Sequence, residues 1–463
     1  MKSSILTLIL IVIVTHRIYS QDTCEVYMFG GPFMEEANQI IVLQNGKYVS
    51  VGTSGSNQPA GTSIYVTCLD EEFNCEWNAV LGGSSVDVGN SVCETSEGEV
   101  LVCGYSNVIG QNGYDVVVHK LSHQGDVVWT KYFGGNDWDF AYKIIPYSDS
   151  QFLICGMTYS YGNGNGDGYV LKIDGDGNLL AEWTYGGVWK DEFFDIDSDG
   201  SEIYLSGYSD IDSEGSKRRN LIALSSSGVI DWTLLDSEFE FDSYNRNSVI
   251  LGDLLYSCGN YFDDSGSELG YITATYIENG ERFWHNEEAH NGNFVFNDLL
   301  IENDRINLLG YTDAYGDGNI NGLISVKGIY GEWLNSVTIG SSYFSFNSSI
   351  ANGGRMIAAV RALHSETVAS VQSAVYVYPD LTFEANSETI WNSTECFVLN
   401  AQYSNEKVAC DEFDLYDLAG RFIGHYKSSS FILENVALQH GVYIKIYENQ
   451  EGLLVHSELK YMD

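Results

Sequence analysis

The chain has 463 residues, 64 of them acidic against 22 basic, for a formal charge of −42. Such a charge repels phosphate backbones and anionic membrane surfaces, so no nucleic-acid partner is expected. Self-repulsion of this size is milder in salt or with divalent cations, and both a saline habitat and a generic acidic secreted protein fit it.

The N-terminus reads as a signal peptide over residues 1–20. Met1-Lys2 precedes an apolar stretch over residues 5–14, and Ser20 is a small residue for cleavage before Gln21. The stretch is too short to span a bilayer, and no later one reaches the ~18 apolar residues a spanning helix needs. The mature chain is therefore expected to be exported, without a transmembrane helix, to the outer cell surface or the extracellular space.

From residue 21 to 383 the sequence repeats with a period near 52. Three marks carry the period. Gly-Gly pairs stand at Gly30-Gly31, Gly82-Gly83, Gly134-Gly135 and Gly186-Gly187. A glycine closes an apolar run at Gly52, Gly104, Gly156, Gly207, Gly259 and Gly310, with Val360 in the seventh place. A tryptophan recurs at Trp77, Trp129, Trp183, Trp232, Trp284 and Trp333, with Phe383 near the seventh. Within each unit an apolar strand meets a tight polar turn such as Gln44-Asn45-Gly46, and the run to the marker glycine follows. That run is apolar at consecutive positions, so its strand is expected to be buried on both faces. A polar loop and a second hairpin complete the unit. Four short antiparallel strands per period describe a β-propeller blade, and the count predicts seven blades. Residues 25–29 (EVYMF) match the last strand of a unit. They are expected to pair with the strands of the seventh unit, roughly 343–379, and close the ring. Over residues 24–383 the pattern GG…D…I…G…(W)…GG resembles the β-propeller repeats of secreted bacterial proteins.

Candidate ligand groups lie on the loop side of such a propeller. An acidic residue follows each early Gly-Gly pair at constant distance: Glu35, Asp87, Asp139 and Asp191. Two roles are open. The carboxylates accept backbone N–H bonds of the adjoining turn, or they ring the central opening and bind a cation or sugar hydroxyls. Trp138 and Trp189 neighbour two of them and suit stacking on a sugar ring; packing between blades is the alternative. Fragments at 163–167, 174–178 and 315–319 resemble calcium loops but none completes the twelve-residue ligand pattern, so calcium is a minor expectation and no other cofactor is implied. His285, Glu287, Glu288 and His290 cluster in sequence without metal-site spacing, and His119 and His123 straddle a hairpin. No nucleophile elbow or supported Ser/His/Asp set is present.

Of the nine cysteines, Cys103, Cys155 and Cys258 precede marker glycines and are expected to be buried in separate blades. Cys68 with Cys75, and Cys396 with Cys410, are candidate disulfides, which export permits.

After a polar linker at residues 384–395 the repeat ends, and residues 396–463 read as short strands of a small β-sandwich. At Asp417, Gly420 and Arg421, and again at Gly441 and Tyr443, this segment resembles the C-terminal sorting domain of type IX secretion cargo. The resemblance implies a D-x-x-G-[RK] turn, a G-x-Y strand and the type IX machinery as partner. The reading is an all-β chain, a seven-bladed β-propeller followed by a small C-terminal β-sandwich, exported as a non-catalytic binding module for a glycan or protein ligand. A polysaccharide-acting enzyme and a passive surface or adhesion component are the alternatives.

Overall fold

A computed structural model describes residues 25–29, 35–55, 61–83, 86–107, 113–148, 150–236, 241–288, 292–314, 320–339, 344–352, 355–365 and 368–378, and the strands at 412–416, 422–427, 441–448 and 454–462. Every regular element among them is a β-strand. No helix of the described residues is long and apolar enough to cross a membrane.

The chain forms a β-propeller. Six blades are built from uninterrupted chain, each with four strands in sequence order, over residues 35–81, 87–133, 139–185, 191–235, 243–288 and 294–339. The expected seven units are thus six contiguous blades and one composite sheet. Its strands are Phe344–Asn352, Arg355–Ser365 and Val368–Tyr378, and Glu25–Phe29 pairs antiparallel with the last of them from Glu25↔Val377 to Phe29↔Ser373. The composite sheet packs against the first blade on one side and the sixth on the other.

The first strand of each blade lies innermost, where it meets the first strands of its neighbours. The second strand, which ends at the marker glycine, is buried almost throughout, as in Tyr48–Ser54 and Val100–Ser106. Its two faces feed the apolar layers between successive blades. Val51, Ile64 and Val66 of the first blade, for example, pack with Val92, Val102 and Val117 of the second. Each such fully buried side chain contributes about 1.5–3 kcal/mol by leaving water.

The marker glycines have a steric cause. A Cβ on Gly52, Gly104, Gly156, Gly207, Gly259 or Gly310 would sit 1.7–1.9 Å from a carbonyl oxygen of the adjacent innermost strand. That carbonyl is pushed forward by a β-bulge at the same level, as between Gly89 and Ser91 opposite Gly104. The marker tryptophans lie against the outer turn of the next blade. Gly125 has φ +83°, and a Cβ there would be 2.5 Å from Trp77, whose Nε1 donates to the His123 carbonyl at 3.0 Å. Gly177, Gly228, Gly280 and Gly331 face Trp129, Trp183, Trp232 and Trp284 in the same way.

Cys103, Cys155 and Cys258 are buried free thiols in separate blades, as expected. Cys68 and Cys75 do not bridge. A bulge sets Cys68 opposite Trp77 and Cys75 opposite Leu69, so one thiol is buried and the other exposed. Burial pushes the Cys68 thiol up to about 12.

Past residue 378 the described residues form one four-stranded antiparallel sheet, in the order Phe422–Lys427, Glu412–Tyr416, Gly441–Glu448, Leu454–Met462. Gly441 and Tyr443 fall on its third strand in chain order, opposite Met462 and Lys460. Residues 1–20, Cys396, Cys410, Asp417, Gly420 and Arg421 lie outside the described residues, and so does any second sheet of the expected sandwich.

Candidate functional site

The acids after the Gly-Gly pairs belong to the turns. Asp87, Asp139 and Asp191 are buried and accept the N–H of Gly83, Gly135 and Gly187 at 2.9, 2.8 and 3.0 Å. Ser106 Oγ donates to Asp87 and Thr158 Oγ1 to Asp139, and Ser160 Oγ reaches Asp139 at 2.7 Å. Their own N–H groups bond the preceding blade, at the carbonyls of Thr62, Tyr114 and Gly166. The first glycine of each pair has no room for a side chain, since a Cβ on Gly82, Gly134 or Gly186 would sit 2.3–2.4 Å from the acid. Gly-Gly and the acid are therefore one blade-to-blade latch. An open ring of carboxylates around the channel, expected as one alternative, is not formed by Asp87, Asp139 and Asp191, because their oxygens already have protein donors. Glu35 begins the first innermost strand at the equivalent register, opposite Ser54.

The calcium-like fragments are likewise turns. Asp174 accepts the N–H of Asp176 and Asn178 at 3.0 and 2.8 Å, and Asp167 that of Gly164 at 3.0 Å. The fragment at 315–319 and His290 lie outside the described residues. His285 meets Glu287 alone of its sequence cluster, at 3.0 Å, and no group of three potential metal ligands occurs among the described residues. His119 is buried against Thr130 Oγ1 at 2.8 Å, and burial lowers its pKa to about 4.

The indoles fare differently. Trp138 is 47% exposed and Trp189 37%. Trp138 stands at the rim of an aromatic arc that leads toward the axis. Its ring meets Tyr114 and Phe140 edge-on at 5.8 and 6.4 Å, and Tyr105 meets Phe140 at 4.9 Å. From Phe140 the arc continues through Tyr142, Phe194 and Tyr208 to Tyr244, with centroid separations of 6.4, 5.6, 5.8 and 5.2 Å. It spans four successive blades. Glu192 anchors its middle, accepting from the Tyr142 and Tyr208 hydroxyls at 2.5 and 2.6 Å and pairing with Lys190 at 2.8 Å. Burial and then the Glu192 charge raise both tyrosine pKa values, so the hydroxyls stay protonated donors.

At the axis the arc opens on a cavity of about 110 Å³. Its wall is made by the bulges. Every innermost strand skips one residue in its pairing, and the skipped residues are Asn38, Asn90, Tyr142, Phe194, Arg246, Asn297 and Asn347. All seven line the cavity. Bulges re-aim a side chain; here each turns one toward the channel. Below them Lys143 pairs with Asp195 at 3.2 Å. Burial alone would lower the Lys143 pKa, but the Asp195 and Asp298 charges outweigh it and hold it above the ordinary value. Burial pushes Asp298 up to about 6.

Sequence reasoning missed this wall because it tracked marks of the repeat, whereas the channel positions differ between units. The available signal was the residue two before each Ile/Val of the first strand, in register at 38, 90 and 142.

No protein-family model matches the sequence, and neither does any curated protein. Among solved structures the chain is similar, at 9% identity, to Sqt1 from Chaetomium thermophilum, over 77% of this chain and 98% of that one with a TM-score of 0.45. It is similar at 9% to the Pan2 WD40 domain from Neurospora crassa, over 78% and 100%, with a TM-score of 0.43. It is similar at 9% to the α-L-arabinofuranosidase Arb93A from Fusarium graminearum, over 77% and 97%, with a TM-score of 0.44. By its own sheets, and by the company they keep, the chain is a β-propeller.

Proposed function

We propose that this chain is an exported, non-catalytic binding module that takes an extracellular glycan at the mouth of its channel. The aromatic arc from Trp138 to Tyr244 carries the reading. Aromatic faces suit the C–H faces of sugar rings, and fixed polar groups between them set orientation. Glu192 is held by two hydroxyls and a lysine, which suits a positioned acceptor rather than a titrating acid.

In the same reading the composite sheet is a seventh blade that closes the ring, residues 1–20 direct export, and the C-terminal sheet belongs to a type IX sorting domain. Closure by a terminal strand leaves the wall of the channel continuous, which a rigid binding face requires.

Glycan-array binding of the full chain tests the proposal, with Trp138→Ala and Phe140→Ala as variants. Retained binding by both variants would remove the arc from the site. Hydrolysis of a polysaccharide panel by the wild type would replace the binding-module reading with an enzymatic one. Truncation at Glu384 is expected to trap the propeller in the periplasm, and normal surface delivery would remove the sorting role.

A further inference from the structure

The channel departs from its own repeat in three adjacent blades. Elsewhere the bulge residue is asparagine, and each amide closes onto the next sheet. Asn38 Nδ2 donates to the Gly89 carbonyl at 2.8 Å, Asn90 to Ala141 at 2.7 Å, Asn297 to Phe346 at 2.9 Å and Asn347 to Ala37 at 2.8 Å. Tyr142, Phe194 and Arg246 give up that bond. Places where one unit breaks a rule that its siblings keep are where function is expected.

Arg246 is the pivotal departure. Its Cζ lies 5.3 Å from the ring centroids of both Phe194 and Tyr244. Its Nε donates to Asn260 Oδ1 at 3.2 Å, and no carboxylate among the described residues pairs with it. Its Nη fork is therefore open to a planar, two-oxygen acceptor. Lys143, the other cation of the wall, already has Asp195. One cation thus stays uncompensated in a protein of charge −42.

The next residue supplies an independent observation. Asn247 is 8% exposed and lines the same cavity, and its Oδ1 has no hydrogen-bond partner. A buried acceptor left unmatched calls for a donor. The cavity's 110 Å³ has room for roughly eight water-sized groups at about 10–15 Å³ each.

We propose that the channel is a binding site for a small hydroxylated carboxylate, its carboxylate on the Arg246 fork and a hydroxyl donating to Asn247 Oδ1. The Tyr142 and Phe194 rings wall the carbon skeleton. Two sources share this chemistry: a free three- or four-carbon hydroxy acid, and the carboxylated edge of a uronic-acid sugar. The site rests on the channel-mouth reading above only for its route of entry.

The test uses the full chain, with calorimetry and thermal melts. The probes are D-glycerate, D-galacturonate and trigalacturonate, against glycerol, galactose and propionate. Carboxylated, hydroxylated probes should bind, and glycerol and galactose should not. Arg246→Asn restores the residue that four sister sheets carry at this place, so the fold should hold. It should weaken binding at least tenfold, with Arg246→Lys in between. Asn247→Ala should erase the preference for glycerate over propionate. Glycerate binding alone assigns the free acid, and trigalacturonate binding alone the polymer. Absence of binding by every carboxylate, or equal binding by wild type and Arg246→Asn, overturns the site. Glycan binding that Trp138→Ala abolishes and Arg246→Asn leaves intact would keep the mouth reading while this one falls.

Discussion

The side-chain amide of Asn347 donates to the backbone carbonyl of Ala37 at 2.8 Å, across 310 residues of chain. The same bond joins neighbouring sheets at Asn38, Asn90 and Asn297, so the composite sheet meets the first blade as one blade meets the next. Asn352 Nδ2 adds a second link there, to the Tyr48 hydroxyl at 2.8 Å.

Deleting residues 25–29 should therefore open a sheet edge next to the first blade. The melting temperature is expected to fall by about 5–10 °C. Asn347→Ala should cost about 1 kcal/mol. An unchanged melt for the deletion would mean that the pairing from Glu25↔Val377 to Phe29↔Ser373 does not hold the fold.

The marker glycines and the second glycines of the Gly-Gly pairs should behave oppositely. At Gly104 a Cβ would lie 1.8 Å from the Val88 oxygen, whereas at Gly83 nothing lies within 4 Å. Gly104→Ala is expected to destabilise by about 3 kcal/mol, since backbone has to move. Gly83→Ala should stay within roughly 0.5 kcal/mol. Urea unfolding of the two variants side by side measures the contrast.

Asp139 holds Gly135, Thr158 and Ser160 at once. Asp139→Ala leaves a turn N–H without its acceptor and should cost about 2–4 kcal/mol. The loss should appear in stability rather than in ligand affinity, because the carboxylate is buried in the latch. A Kd that changes tenfold with an unchanged melt would return Asp139 to the binding site.

Asp298 sets a pH dependence. Burial dominates its environment, partly offset by the hydrogen bond from Ser349 and the charge of Lys143, and its pKa rises to about 6 from 3.8. The folded state thus binds this proton more tightly than the unfolded chain. Its contribution is fully present below about pH 3.8 and is lost as pH rises through about 6. The loss is on the order of 3 kcal/mol. Asp298→Asn should remove that falling segment from the difference between the two stability curves, measured by urea unfolding from pH 4 to 7. Parallel curves would place the titration elsewhere.

The sequence by itself determined the blade. Its period, its turn glycines and the doubly buried second strand follow from local rules. Alternation, positive φ at residues such as Gly46 and Gly125, and apolar runs before Gly104 or Gly156 are all visible along the chain. Only the tertiary structure decided the site. The spacing of Asp87, Asp139 and Asp191 is the same whether their carboxylates face a ligand or a turn, and the fold turned them inward to the Gly-Gly amides. The bulge that aims Arg246 at the axis leaves no mark in composition, because it is a mismatch of register between two strands. Cys68 and Cys75 lost their expected bridge through that kind of one-residue shift. Register is a property of pairs of strands, and a pair exists only once the chain has folded.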